Sequence, residues 1–76
     1  MIDLSSVQRD IERIEREAEL RYWRDEHQAY LQRRFGRAAL ILLLGDEAEV
    51  RVGGLTVRFP ARFLRYPDAL RRRGFT

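Results

Sequence analysis

All fifteen Lys or Arg side chains of this 76-residue chain are arginines, and they concentrate toward its C-terminal end. Residues 51–76 carry seven arginines against Asp68 as the single acid, a net charge of +6. A guanidinium group is permanently charged and binds a carboxylate or a phosphate through two parallel N–H donors. We therefore predict that an anionic partner is bound by Arg51, Arg58, Arg62, Arg65, Arg71, Arg72 and Arg73.

The chain offers few residues for catalysis. His27 is the only histidine and cysteine is absent, whereas a nucleophilic triad needs an oriented base and a zinc site needs several such ligands. Trp23 and Tyr30 stand at helical spacing from His27, which favours a packing role for the imidazole. Gly53-Gly54 joins two alternating segments and opens no helix, so it is not a phosphate loop. The sequence predicts no enzyme, metal, cofactor or small-molecule substrate.

One long helix is the first element that must position these side chains. Residues 3–35 contain no Gly or Pro and are rich in Glu, Arg, Leu and Ala, which are good helix formers. We expect Asp3 to be the N-cap, with Ile2 and Val7 packing together across it. Gly36 is the expected C-terminal stop.

Two apolar stripes run along this helix. The first consists of Leu4, Val7, Ile11, Ile14 and Ala18 at three-four spacing, and the second of Leu20, Trp23, His27, Tyr30, Leu31 and Phe35. Because the apolar face rotates near Ala18, either the first half packs on a partner and the second on this chain's own sheet, or the whole helix bends over one core. Since aromatic side chains often anchor interfaces, protein contacts are predicted at Leu4, Val7, Ile11, Ile14, Tyr22, Trp23 and Tyr30.

A β-hairpin is the clearest strand signal. Residues 48–52 and 55–59 alternate apolar with polar around Gly53-Gly54, which is typical of a two-residue turn. The solvent-facing positions are expected to be Glu49, Arg51, Thr56 and Arg58. The apolar run 38–44 is expected to be a third strand, although its periodicity also permits a short helix. Such a strand is apolar on both faces, so the C-terminal segment or another subunit has to cover the second face.

The C-terminal segment is expected to form a helical turn after Pro60 and a last short helix over residues 68–73, capped by Gly74. If this segment folds back on the sheet, its arginines join Arg51 and Arg58 in one patch. Otherwise Arg51 and Arg58 are expected to pair with Glu49.

The predicted fold is a single α+β domain, with a long N-terminal helix packed on a small antiparallel sheet and a short basic C-terminal helix. Its three parts are residues 1–36, 37–60 and 61–76.

A family resemblance lies in the hairpin. The segment Val50-Arg-Val-Gly-Gly-Leu-Thr-Val-Arg-Phe59, preceded by a helix and followed by a short Arg-rich helix, resembles the helix–hairpin–helix order of the small head–tail joining protein of lambda-like phages. The resemblance implies a non-enzymatic adaptor that assembles as a ring in the virion. The long first helix and the apolar run 38–44 depart from that family's pattern.

Size and composition indicate a binding protein. A chain this short buries a limited share of its surface, so self-association or a protein partner is expected to stabilise it. No apolar run approaches the roughly 20 residues of a membrane span, and a signal peptide is not evident. We therefore expect the protein to reside in the cytoplasm or in a virion.

The predicted function is that of a non-enzymatic binding or assembly protein, which acts as an oligomer or as a subunit on a larger complex. Its Arg-rich C-terminal face is expected to engage an acidic partner surface. The alternatives are a sequence-nonspecific nucleic-acid-binding protein, a phage-type adaptor and an inhibitor of a nucleic-acid enzyme.

Overall fold

A computed structural model of the chain describes residues 4–75, with side chains from Val7 onward. Its elements are the helix α1 (Leu4–Phe35), the strands β1 (Leu40–Leu44), β2 (Glu47–Val52) and β3 (Leu55–Pro60), and two 3-10 segments, Ala61–Arg65 and Arg71–Arg73. The predicted α+β class is confirmed, with the long helix packed on an antiparallel sheet. The expected roles of Ile2, Asp3 and the Leu4 side chain lie outside the described residues.

Helix α1 ends where the sequence predicts. Gly36 has a φ of 105°, a left-handed conformation that costs glycine little and strains other residues. Its backbone N–H donates to the Gln32 carbonyl at 3.0 Å, which satisfies one of the carbonyls left open at a helix C-terminus.

The sheet is a meander in the order β1-β2-β3, with both neighbouring pairs antiparallel. Two-residue turns, Gly45-Asp46 and Gly53-Gly54, connect the strands, and their first glycines have φ values of 62° and 60°. Positive φ at this position is what a tight hairpin turn requires. The expectation that the apolar run forms a strand is confirmed by β1.

The core lies between the sheet and the second half of α1. Its largest fully buried side chains are Leu31, Ile41, Leu64 and Val50. The C-terminal segment closes the same side of the sheet, because Leu70 and Phe75 belong to this cluster. It does so as turns and a 3-10 segment and not as the expected α-helix, since only six residues separate Pro67 from Gly74, and a 3-10 turn fits so short a segment.

Two glutamines of α1 attach the helix to the edge strand β1. The Gln28 side-chain oxygen accepts a hydrogen bond from the Ile41 backbone N–H at 3.0 Å, and the Gln32 amide donates to the Ala39 carbonyl at 3.1 Å. These bonds satisfy backbone groups that an edge strand otherwise exposes. They fix β1 beneath the C-terminal half of the helix.

Candidate functional site

The first half of α1 projects beyond the rest of the protein. All side chains of residues 7–19, which we call the arm, are exposed. Val7, Ile11 and Ile14 are 46%, 50% and 61% exposed. The chain measures 54 × 20 × 18 Å with a radius of gyration of 15.0 Å, whereas about 11 Å is expected for a compact domain of this length. The arm thus presents large apolar side chains to solvent.

The apolar side chains of the arm point away from the protein's own core. At 100° per residue, the line formed by Val7, Ile11, Ile14 and Ala18, which we call the arm stripe, lies roughly 150° around α1 from the buried face. That buried face includes His27 and Leu31. The two halves of the helix therefore have different apolar faces, and the second half packs on the sheet. Tyr22, which is 57% exposed, continues the arm stripe toward the core.

A second apolar surface lies on the opposite side of the sheet from α1. Leu40 and Leu44 are 39% and 46% exposed there, with Leu42 between them along β1. We call this side, with the neighbouring Arg51 and Arg58, the open sheet face. The C-terminal segment packs on the other side, so within residues 4–75 this row keeps Leu40 and Leu44 exposed, with Leu42 half-buried between them.

Glu49 lies at the centre of the open sheet face and is only 3% exposed. Arg51 Nε donates to its carboxylate at 2.7 Å and Arg58 Nε at 2.9 Å. The hydrogen bond from Arg58, followed by that from Arg51, holds the pKa of Glu49 below its ordinary value of 4.5, although burial opposes this. The expectation of a solvent-facing Glu49 is wrong, because the two arginine side chains cover the carboxylate.

Arg51 and Arg58, which form a cluster with Glu49, can still bind a partner. Their side chains are 53% and 62% exposed for Arg51 and Arg58. A guanidinium has five N–H donors, and Glu49 uses only some of them. Two positive charges on one carboxylate leave a local excess of +1.

The remaining C-terminal arginines do not join this cluster. Arg73 lies on the helix side of the sheet, with its guanidinium carbon 4.2 Å from the centre of the Phe59 ring and 4.9 Å from that of Phe63. Three others have partners of their own: Arg62 lies 5.0 Å from the Phe63 ring centre, Arg65 is 3.6 Å from Glu19, and Arg72 donates to Asp68 at 2.7 Å. The seven predicted arginines therefore occupy separate surfaces and form no single patch.

A cleft of about 280 Å³ brings predicted aromatic and basic residues together between α1 and the C-terminal segment. Its lining is Trp23, Glu26, His27, Tyr30, Arg33, Pro67, Leu70 and Arg71. Trp23 stacks on His27 at 5.6 Å between ring centres. His27 Nε2 lies 2.8 Å from the Leu64 carbonyl oxygen; since a carbonyl only accepts, this nitrogen carries the proton.

Two arginines of the cleft are available to a ligand. Within residues 7–75, the side chains of Arg33 and Arg71 have neither a hydrogen-bond nor an ion-pair partner. Arg71 is among the arginines predicted from the sequence, whereas Arg33 is not. A signal was present, because Trp23, Glu26, Tyr30 and Arg33 follow three-four-three spacing and therefore share one side of α1.

Other kinds of site find no support in the described part of the chain. Residues 4–75 contain no group of three or more side chains arranged to hold a metal ion. None of the helices described is both long and apolar enough to span a membrane. No protein-family model, curated protein or solved structure matches the chain.

Proposed function

We propose that this chain is a non-enzymatic binding and assembly protein, which works as an oligomer or as a subunit on a larger complex. The exposed apolar side chains of the arm are the observation that supports this proposal. Helices gain most of their stability from packing an apolar face, and among residues 7–75 nothing packs on the arm stripe. Contiguous exposed apolar side chains of this kind mark interaction surfaces.

The cleft supports the second part of the proposal, an acidic partner surface. Arg33 and Arg71 supply two unpaired guanidinium groups beside Trp23 and Tyr30, and arginine with aromatic residues is the usual composition of an interface anchor. Nucleic-acid backbones are bound by several cations at once. Here most of the C-terminal arginines already contact acids or rings of their own chain, which favours a partner presenting one or two carboxylates.

Replacing Ile11 and Ile14 together with glutamine should abolish association through the arm. Glutamine keeps the helix propensity high but removes the apolar area that drives binding, so the dissociation constant should rise by on the order of 100-fold. Light scattering after size exclusion, over a series of protein concentrations, measures this as a fall from the mass of an assembly to that of one chain.

The matched control replaces Glu12 and Arg16 with glutamine. These residues lie on the arm away from the stripe, and the pair of changes leaves the net charge unaltered. The control should retain the mass of the unmodified protein. If the Ile11 and Ile14 variant keeps that mass as well, the arm stripe is not the interface.

A further inference from the structure

Among residues 7–75, two apolar surfaces are left exposed, and they face in opposite directions. The arm stripe is on the side of α1 away from the sheet, and the open sheet face is on the side of the sheet away from α1. One chain therefore cannot bring its own arm stripe onto its own open sheet face. We propose that the arm of one copy packs on the open sheet face of a second copy, head to tail; this rests on the proposed assembly function.

The two surfaces match in length. Val7 and Ile14, the outermost of the three large side chains of the arm stripe, are seven positions apart, about 10 Å at 1.5 Å per residue of helix. Leu40 and Leu44 are four positions apart, about 13 Å at 3.3 Å per residue of strand. One row of aliphatic side chains can therefore lie along the other over its full length.

The charges beside these rows are complementary. The arm carries five acids and three arginines, a net charge of −2, and Glu15 and Glu17 lie toward its core end, where Glu19 is already paired with Arg65. On the open sheet face, the register places Arg51 opposite Leu40 and Glu47 opposite Leu44. The arm therefore fits with Ile14 toward Leu40, where its glutamates meet Arg51 and Arg58.

Parallel pairing of two arms is disfavoured by the same charges. Asp10 and Glu17 border the arm stripe on one side and Glu15 on the other, so two stripes paired in parallel bring carboxylates together. Head-to-tail contact avoids this. It also leaves one free arm and one free sheet face after each addition, so further copies can be added into a closed ring or an open filament.

Mixing two defective variants tests the proposal. The arm variant carries Ile11→Gln and Ile14→Gln, and the face variant carries Leu40→Gln and Leu44→Gln, at side chains exposed enough to tolerate the change. Each variant alone should have lost association by on the order of 100-fold. Mixed, they should form a complex of one chain each, because the face variant supplies an intact arm and the arm variant an intact face.

The outcomes separate this inference from the proposed function. A face variant that associates like the unmodified protein, with the arm variant monomeric, would overturn the head-to-tail contact and leave the arm as an interface. Two monomeric variants that form no complex when mixed would also overturn it. Circular dichroism of each variant shows that the fold is retained, and the Glu12→Gln, Arg16→Gln control should associate normally with itself.

Discussion

Replacing Leu31 with alanine should lower the free energy of unfolding by about 2–5 kcal/mol. Leu31 is completely buried where α1 meets both the sheet and the C-terminal segment, so truncation removes apolar contacts and leaves a cavity. Domains of this kind are stable by only about 5–15 kcal/mol, and a small one lies toward the lower end. We expect a large part of the total stability to be lost.

Urea denaturation followed by circular dichroism, at a concentration where the chain is monomeric, measures the effect. Leu55→Ala is the matched control, because Leu55 lies beside the hairpin turn and is 55% exposed. It should cost at most about 1 kcal/mol. Equal losses for Leu31→Ala and Leu55→Ala would mean that the core is not centred on the second half of α1.

Neutralising both arginines of the cleft should weaken binding of an acidic peptide by at least roughly tenfold. Trp23 is the only tryptophan of the chain and lines the cleft, so its fluorescence reports directly on occupancy. A titration with a peptide of consecutive glutamates should change that fluorescence in the unmodified protein. The change should require a much higher peptide concentration in the Arg33→Gln, Arg71→Gln variant.

The control for this titration is Arg34→Gln with Arg72→Gln. It removes the same charge from neighbouring positions that lie outside the cleft lining, and it should reduce the affinity only slightly. Equal losses of affinity in both variants would show that the peptide is attracted by the overall positive charge of this surface and does not bind specifically in the cleft. A parallel titration with single-stranded oligothymidine separates carboxylate from phosphate: tighter binding of the oligonucleotide would contradict an acidic protein partner.

Much of the fold was predictable because its signals are local. The absence of Gly and Pro before Gly36 defines α1, and alternation around Gly53-Gly54 defines the second hairpin. The change of apolar stripe near Ala18 left two interpretations open, a helix with two contact faces or a helix that bends over one core. Each of these patterns depends on residues close together in the chain, which sequence periodicity can detect.

The environments of the surface charges depend on contacts between residues that are distant in the chain. They were therefore predicted less well than the helix and the hairpin. Glu49 alternates like a solvent-facing residue, but Arg58, nine positions later, helps to cover it. Arg73 belongs to a basic run, yet it lies on the rings of Phe59 and Phe63. These two arginines belong to one basic stretch of the sequence, but Arg58 projects from β3 onto the open sheet face, whereas Arg73 belongs to the C-terminal segment that packs on the other side of the sheet.

Hydrogen exchange of the arm amides at increasing protein concentration tests most directly whether the arm is a docking element for another copy. We expect exchange in residues 7–19 to slow as concentration rises, while exchange in the second half of α1, already packed on its own sheet, stays the same. In the Ile11→Gln, Ile14→Gln variant the arm should exchange fast throughout. Fast exchange of the unmodified arm at every concentration would contradict the account.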